Sequence, residues 1–170
     1  MYFTESKITS DFIVDALEDF WSRESSRFSH IQTIVINQDN GPENNSHRTQ
    51  FMKRMVNFAH QYKLKIRLAY YPPYHSKYNP IERTWAVLEN HWNGSILSEI
   101  ETALKFAETM TWKSKHPWVK LVTQTYENGV KLSKKEMAKI ENKIQRLTNL
   151  ESSKFSDLGK WFVDLDGRTI

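Results

Sequence analysis

The sequence predicts an α/β fold, and three observations carry that prediction. Residues Ile31 to Ile36 read Ile-Gln-Thr-Ile-Val-Ile, a short, β-branched and nearly all apolar run. Residues 46–62 then place apolar side chains at helical spacing, and residues 64–70 alternate apolar with more polar ones. Strand, helix and strand within about 40 residues make a βαβ unit, whose two strands run parallel with a right-handed crossover.

The elements follow in chain order. Ser10 is placed to cap a helix whose apolar residues Ile13, Ala16, Leu17, Phe20 and Trp21 recur at helical spacing. The Ser/Arg-rich stretch from Ser22 to Ser29 ends it. The strand Ile31 to Ile36 has the composition of a central strand buried on both faces. It runs into Asn37-Gln38-Asp39-Asn40-Gly41-Pro42, a polar turn rich in chain-breakers. The next helix, from about Ser46 to Tyr62, buries Phe51, Met55, Phe58 and Tyr62. In the second strand Leu64, Ile66, Leu68 and Tyr70 alternate with Lys65, Arg67 and Ala69, so one face is more exposed. Pro72-Pro73 stops it.

A loop, Tyr74 to Tyr78, leads into Asn79-Pro80-Ile81-Glu82. Asn79 caps a helix there, Pro80 takes its first position, and Ile81, Trp85, Leu88 and Trp92 form its apolar face, with Trp85 expected in the core. The remainder reads as mainly helical. Ile96, Ile100, Leu104 and Ala107 mark one segment, and Pro117 opens another with Leu121 and Val122. Ser133 and Glu136 form a capping box ahead of Met137, Ile140, Ile144 and Leu147. Lys160 to Val163 is a short closing segment.

Composition narrows the function classes. The 170 residues suffice for one domain with a real core and are few for two. With no cysteine, disulfides and thiol chemistry are excluded. The histidines, among them His47, His60, His75, His91 and His116, show no close metal-binding pair, so a structural zinc site is not expected. The first residues lack the pattern of a secretory leader, and no apolar run reaches the roughly 18 residues of a membrane span. The expectation is a cytoplasmic protein without a membrane partner. A net charge of +4 and a pI of about 9.2 lean towards a polyanionic partner. Lys113, Lys115, Lys120, Lys131, Lys134, Lys135, Lys139, Lys143 and Arg146 gather beyond residue 110, with Trp112, Trp118 and Tyr126 among them. A solvated helix face would look the same.

In a parallel α/β sheet, functional groups gather outside the carboxyl ends of strands. Asp39 follows the first strand directly, and Glu82 lies in the first turn of the helix that follows the second. Neighbouring strand ends are about 5 Å apart, so the two carboxylates can converge. Such a pair offers the hard oxygen ligands that Mg²⁺ or Mn²⁺ takes, and suits metal-assisted phosphoryl transfer. Each residue has a plainer reading. Asp39 also fits a turn cap before Asn40-Gly41, and Glu82 the return half of a capping box with Asn79. Lys77 and Arg83 flank Glu82 as candidate phosphate contacts, beside an ordinary surface-charge reading, and His75 is a weaker one beside a solvated-loop reading.

The phrases Ile34-Val35-Ile36-Asn37-Gln38-Asp39-Asn40, Tyr71-Pro72-Pro73-Tyr74 and Tyr78-Asn79-Pro80-Ile81-Glu82-Arg83-Thr84-Trp85 resemble the DDE transposases of the mariner-related insertion-sequence superfamily. The resemblance is specific from about residue 8 to residue 92 and looser as far as Gly159-Lys160-Trp161-Phe162-Val163. It implies a ribonuclease-H-like (retroviral-integrase-like) fold, with Asp39 as the second catalytic acid and Glu82 as the third. It also implies two Mg²⁺ or Mn²⁺ ions, and transposon-end and target DNA as partners. Homo-oligomers, or association with a full-length transposase or an upstream fragment, are expected too.

The pattern departs at the front. The family's first acid belongs to a β-hairpin that precedes the helix starting near Ser10, and residues 1 to 9 do not hold it. Asp11, Asp15 and Asp19 belong to a helical pattern and do not substitute. The expectation is therefore an N-terminally truncated core. Residues 1–110 would form a partial ribonuclease-H-like domain without its first strands, and residues 111–170 a basic, mainly helical region packed on it. Two rival readings are kept. One is an inactive DNA- or transposase-binding remnant that modulates a full-length enzyme, and the other a complete ribonuclease-H-like nuclease with rewired ligands that recruits Glu43 as a further acid beside Asp39 and Glu82.

Overall fold

The computed structural model describes residues 1–71, 79–146 and 161–168. The chain forms two compact units, one from Ile8–Pro73 with Glu127–Ile170, the other from Met1–Lys7 with Tyr74–Tyr126. Among the described residues no helix is long and apolar enough to cross a membrane.

The larger unit is built on a four-stranded sheet. Its strands are β2 (Thr33–Gln38), β3 (Lys65–Tyr70), β6 (Phe162–Asp166) and β5 (Ile144–Arg146), in that spatial order. β2 and β3 are parallel, with Ile34 opposite Ile66 and Ile36 opposite Leu68, as the βαβ reading requires. β6 runs antiparallel to both β3 and β5. The period of two along β3 puts Ile66, Leu68 and Tyr70 on the buried face, where Val163 and Leu165 of β6 join them. Helix α2 (Thr49–Tyr62) covers that face with Phe51, Met52, Met55 and Phe58, all essentially without exposure. It ends on Lys63 in the left-handed conformation, with φ 53°.

Helix α1 (Ser10–Glu24) packs beside α2 through Val14 and Trp21. Charge reinforces that contact. Arg54 of α2 donates to Asp11 at 2.7 Å and to Asp15 at 2.5 Å. Burial works against the charged guanidinium, but these carboxylates outweigh it and hold Arg54 above its ordinary pKa. On the opposite face of the sheet, Arg67 of β3 grips Asp164 of β6 with two bonds of 2.7 Å.

In the smaller unit, β1 (Tyr2–Thr4) pairs in parallel with β4 (Lys120–Val122). Helices α3 (Pro80–Trp92) and α4 (Ile100–Thr109) close a small core around Leu88, Ala107 and Met110. Trp92, Phe106 and Trp112 pack on its margin.

Several expectations need correction. The helix cap is Thr9, whose hydroxyl accepts from the Phe12 amide, whereas the Ser10 hydroxyl donates to the Glu43 carbonyl instead. β2 is an edge strand among the described residues, not a strand buried on both faces, and Val35 is 54% exposed. Beyond residue 110 the expected mainly helical region contains β4, β5 and β6, and α5 (Lys134–Glu141) is its one helix among the described residues. The Ser133–Glu136 capping box starts α5 as predicted, but the helix stops before Ile144, which belongs to β5. Trp85 is 42% exposed rather than core, because the core beside α3 takes only Leu88 fully.

Candidate active site

Asp39 follows β2 immediately, at the carboxyl end of a strand whose parallel neighbour is β3. The loop it opens is held from several sides. Asn45 donates through its side chain to the carbonyls of Gly41 and Pro42, and its backbone amide reaches Gly41 as well. The buried Tyr70 hydroxyl donates to the Asn44 carbonyl at 3.1 Å. Burial holds the Tyr70 phenol above its ordinary pKa, so it stays a neutral donor. Arg146 donates to the Ser46 carbonyl at 2.7 Å, tying the loop to β5.

Within this frame the Asp39 carboxylate is exposed. Its hydrogen-bond partner among the described residues is the Asn44 side-chain amide, 2.9 Å from Oδ1. No backbone N–H caps onto it among those residues, which is what a turn cap would require. Gly41 lies beneath: a Cβ there would stand 3.5 Å from both Asp39 oxygens and 2.9 Å from Asn44 Oδ1. The absent side chain leaves the carboxylate and its amide partner room to meet. Sequence reasoning missed Asn44, since nothing in a non-periodic polar run marks the one amide that folds back on Asp39.

Among the described residues, the other acids of the larger unit, the exposed Glu127 apart, are committed to hydrogen bonds or ion pairs. Asp11, Asp15 and Glu18 lie within 3.5 Å of Arg54, Asp19 pairs with Arg23, and Asp164 pairs with Arg67. Glu43 pairs with Arg48 at 3.1 Å and also accepts from the Ser10 amide and hydroxyl at the start of α1. A carboxylate so committed is a poor spare ligand. Asp39 has no such cation among the described residues.

Glu82 belongs to the smaller unit, in the first turn of α3. Asn79 caps that helix, its Oδ1 accepting from the Ile81 amide at 3.3 Å, and Pro80 follows as predicted. The return half of a capping box does not form. The Glu82 carboxylate is exposed and has neither hydrogen bond nor ion pair among the described residues. Arg83 beside it is exposed too, with no acidic partner there. His75 and Lys77 lie outside the described residues. Asp39 and Glu82 thus stand on different units, each an open, un-neutralised carboxylate. Hard anionic oxygens of this kind fit a divalent cation such as Mg²⁺. Among the described residues no three His, Cys, Asp or Glu side chains cluster as a metal site.

The basic residues beyond position 110 divide between the units. Lys113, Lys115 and Lys120 are exposed on the smaller one, and Lys131, Lys134, Lys135 and Lys139 on the larger.

No curated protein and no solved structure matches the chain. The sequence model of a family described as the Rhodopirellula transposase DDE domain does, over residues 1–163. That span takes in β2 with Asp39, α3 with Glu82 and the first two residues of β6, and so nearly all of both units. By this match the chain belongs to the Rhodopirellula transposase DDE domain family.

Proposed function

We propose that this chain supplies two acids of the DNA strand-cleavage and strand-transfer site of a transposase related to the mariner-type insertion sequences, on a ribonuclease-H-like core. Asp39 acts as the second acid and Glu82 as the third. The observation that carries the reading is the placement of two open carboxylates, Asp39 at the carboxyl end of β2 and Glu82 in the first turn of α3. Asp11, Asp15, Asp19, Glu43 and Asp164 are bound by arginines, whereas Asp39 and Glu82 are exposed and pair with no cation among the described residues.

Asp39 and Glu82 would hold the divalent ions, Mg²⁺ or Mn²⁺, which when bound activate the attacking oxygen and stabilise the leaving one. Asn44 orients Asp39 by donating to Oδ1 and leaves Oδ2 without a hydrogen bond among the described residues. Arg83, and Lys77 and His75 near it in sequence, would hold DNA phosphates beside Glu82. The family's first acid has no counterpart in Asp11, Asp15 or Asp19, which Arg54 and Arg23 occupy. The open edge of β2 supports a reading in which a further strand, contributed by another segment or chain, brings that acid alongside Asp39.

Ferrous iron can test the paired site directly. Fe²⁺ substituting for Mg²⁺ generates hydroxyl radicals with ascorbate and peroxide, and these cut the backbone near the bound ion. Cuts should appear near residues 39 and 82 together, and Asp39→Asn should abolish both. Cutting at one position that persists in Glu82→Gln and vanishes only in Asp39→Asn would refute the pairing.

A further inference from the structure

We propose that the turn from Trp112 to Pro117, with Thr84 of α3, is a binding site for an unpaired DNA nucleotide. The base would stack on the Trp112 indole and the adjoining phosphates would rest on Lys113 and Lys115. DNA as the source of the nucleotide rests on the function proposed above.

The site is a cavity of about 280 Å³ lined by Thr84, Trp112, Lys113, Lys115, His116 and Pro117. That is just under the roughly 300–1,000 Å³ of small-molecule sites, so it suits one base rather than a peptide or a duplex. Its walls are mainly apolar, no acidic side chain lines it, and two lysines, Lys113 and Lys115, are among its lining residues. An apolar floor with a cationic rim is the chemistry of single-strand binding, where bases stack on aromatic rings and phosphates follow the positive charge.

The backbone is shaped to present these groups. Trp112 and Lys115 exchange two backbone hydrogen bonds of 2.8 and 3.1 Å, closing a two-residue hairpin turn. Its central residues, Lys113 and Ser114, both sit in the left-handed region, with φ 50° and 62°. Such turns ordinarily take Asn-Gly, and residues with a Cβ are strained there. The turn places Lys113 at its tip and Lys115 at its closing pair. Lys113 Nζ lies over the Trp112 ring, 5.8 Å from its centroid, so a base stacking on that face takes the place of the ammonium, which then meets the adjoining phosphate.

The platform is also rigid. Trp112 packs on the core of Leu88, Ala107 and Met110, and His116 Nδ1 donates to the Met110 carbonyl at 2.9 Å. A fixed ring loses little freedom on stacking. Thr84 is two positions past Glu82, a rotation of about 200° around the helix, so the cavity opens on a different side of α3 from the proposed metal ligand.

The test uses the full chain and a fluorescent single-stranded oligonucleotide carrying 2-aminopurine, beside the duplex and the RNA strand of the same sequence. Lys113→Asn tolerates the left-handed backbone and Lys115→Gln is isosteric in length, so their double variant removes charge without disturbing the turn. It should weaken single-strand binding and lower its log–log salt slope by about 1.4, at about 0.7 per phosphate contact. Trp112→Leu, checked for folding by circular dichroism, should lose the 2-aminopurine quenching and weaken binding about 5- to 150-fold. If Trp112→Leu unfolds, the slope and quenching of the lysine variant decide alone. Duplex and single-strand binding that both survive in the lysine variant would overturn the inference while leaving a DNA-acting protein intact. Equal losses on duplex and single strand would overturn the unpaired base, and tighter capture of the RNA strand would overturn DNA as its source. A wild-type chain that binds no DNA at all would remove the proposed function together with the inference.

Discussion

Arg67→Met should destabilise the larger unit more than Asp164→Asn, although the two residues form one ion pair. The reason is unequal burial. The Asp164 side chain is 5% exposed and that of Arg67 40%. Removing Arg67 strips two hydrogen bonds of 2.7 Å from a buried carboxylate and leaves Lys65, 3.8 Å away, as its cation among the described residues. Breaking a buried pair costs about 3–5 kcal/mol, and Lys65 together with the partial exposure puts this one near 3 kcal/mol. Asp164→Asn leaves a half-exposed guanidinium that water can solvate and an amide oxygen that still accepts, so about 1.5 kcal/mol is expected.

Acid separates the two variants further. The Arg67 hydrogen bonds hold the Asp164 pKa below its ordinary value. The stability this gives the parent is fully present above the ordinary carboxylate range and is lost as pH falls through the depressed value. In Arg67→Met the buried carboxylate is instead raised, and protonation relieves it. Its deficit should therefore shrink between about pH 7 and about pH 4. Urea unfolding followed by far-ultraviolet circular dichroism measures both. Equal losses in the two variants, or an Arg67→Met deficit that ignores pH, would show that the carboxylate is not the buried, dependent partner.

Other perturbations probe the site and the backbone. Asp39→Asn and Glu82→Gln should each change stability by less than about 0.5 kcal/mol in thermal melts, since neither pairs with a cation among the described residues. On the function proposed above, Asp39→Asn and Glu82→Gln should each abolish Mg²⁺- or Mn²⁺-dependent nicking of supercoiled plasmid, and nicking that survives either change would refute the proposed site. Gly167→Ala would set a Cβ 1.9 Å from the Ala59 carbonyl oxygen, and should cost about 3 kcal/mol or more in chemical denaturation. Ser114→Gly relieves a left-handed non-glycine residue and should raise the melting stability by about 0.5–1 kcal/mol, net of the entropy glycine loses.

The readable parts of the fold were those set by local chemistry. The alternation in β3, the period of α2, the caps at Asn79 and Ser133 and the parallel β2–β3 pair all follow from neighbours in sequence. The same holds for the positions of Asp39 and Glu82, which chain-breakers fix at a strand end and a helix start. What escaped depends on distant partners. β6 pairs Asp164 with Arg67 across most of the chain, and β5 is three residues long with a helical-looking apolar spacing ahead of it. Ile34 to Ile36 cannot announce whether a neighbour covers both faces, and Trp85 cannot announce how far the core beside α3 extends. Asn44 touches Asp39 only because Gly41 lets the loop fold back.

The edge position of β2 has a practical consequence for handling the protein. Thr33-Ile34-Val35-Ile36-Asn37-Gln38 contains no charge, no proline and no glycine, and its outer backbone edge is unpaired among the described residues. Six-residue segments of this kind stack readily into cross-β aggregates when an edge is open. Concentrated preparations should therefore drift towards insoluble, thioflavin-positive material. Val35→Lys, at a 54%-exposed position on the edge, is the gatekeeper substitution that should keep the protein in solution.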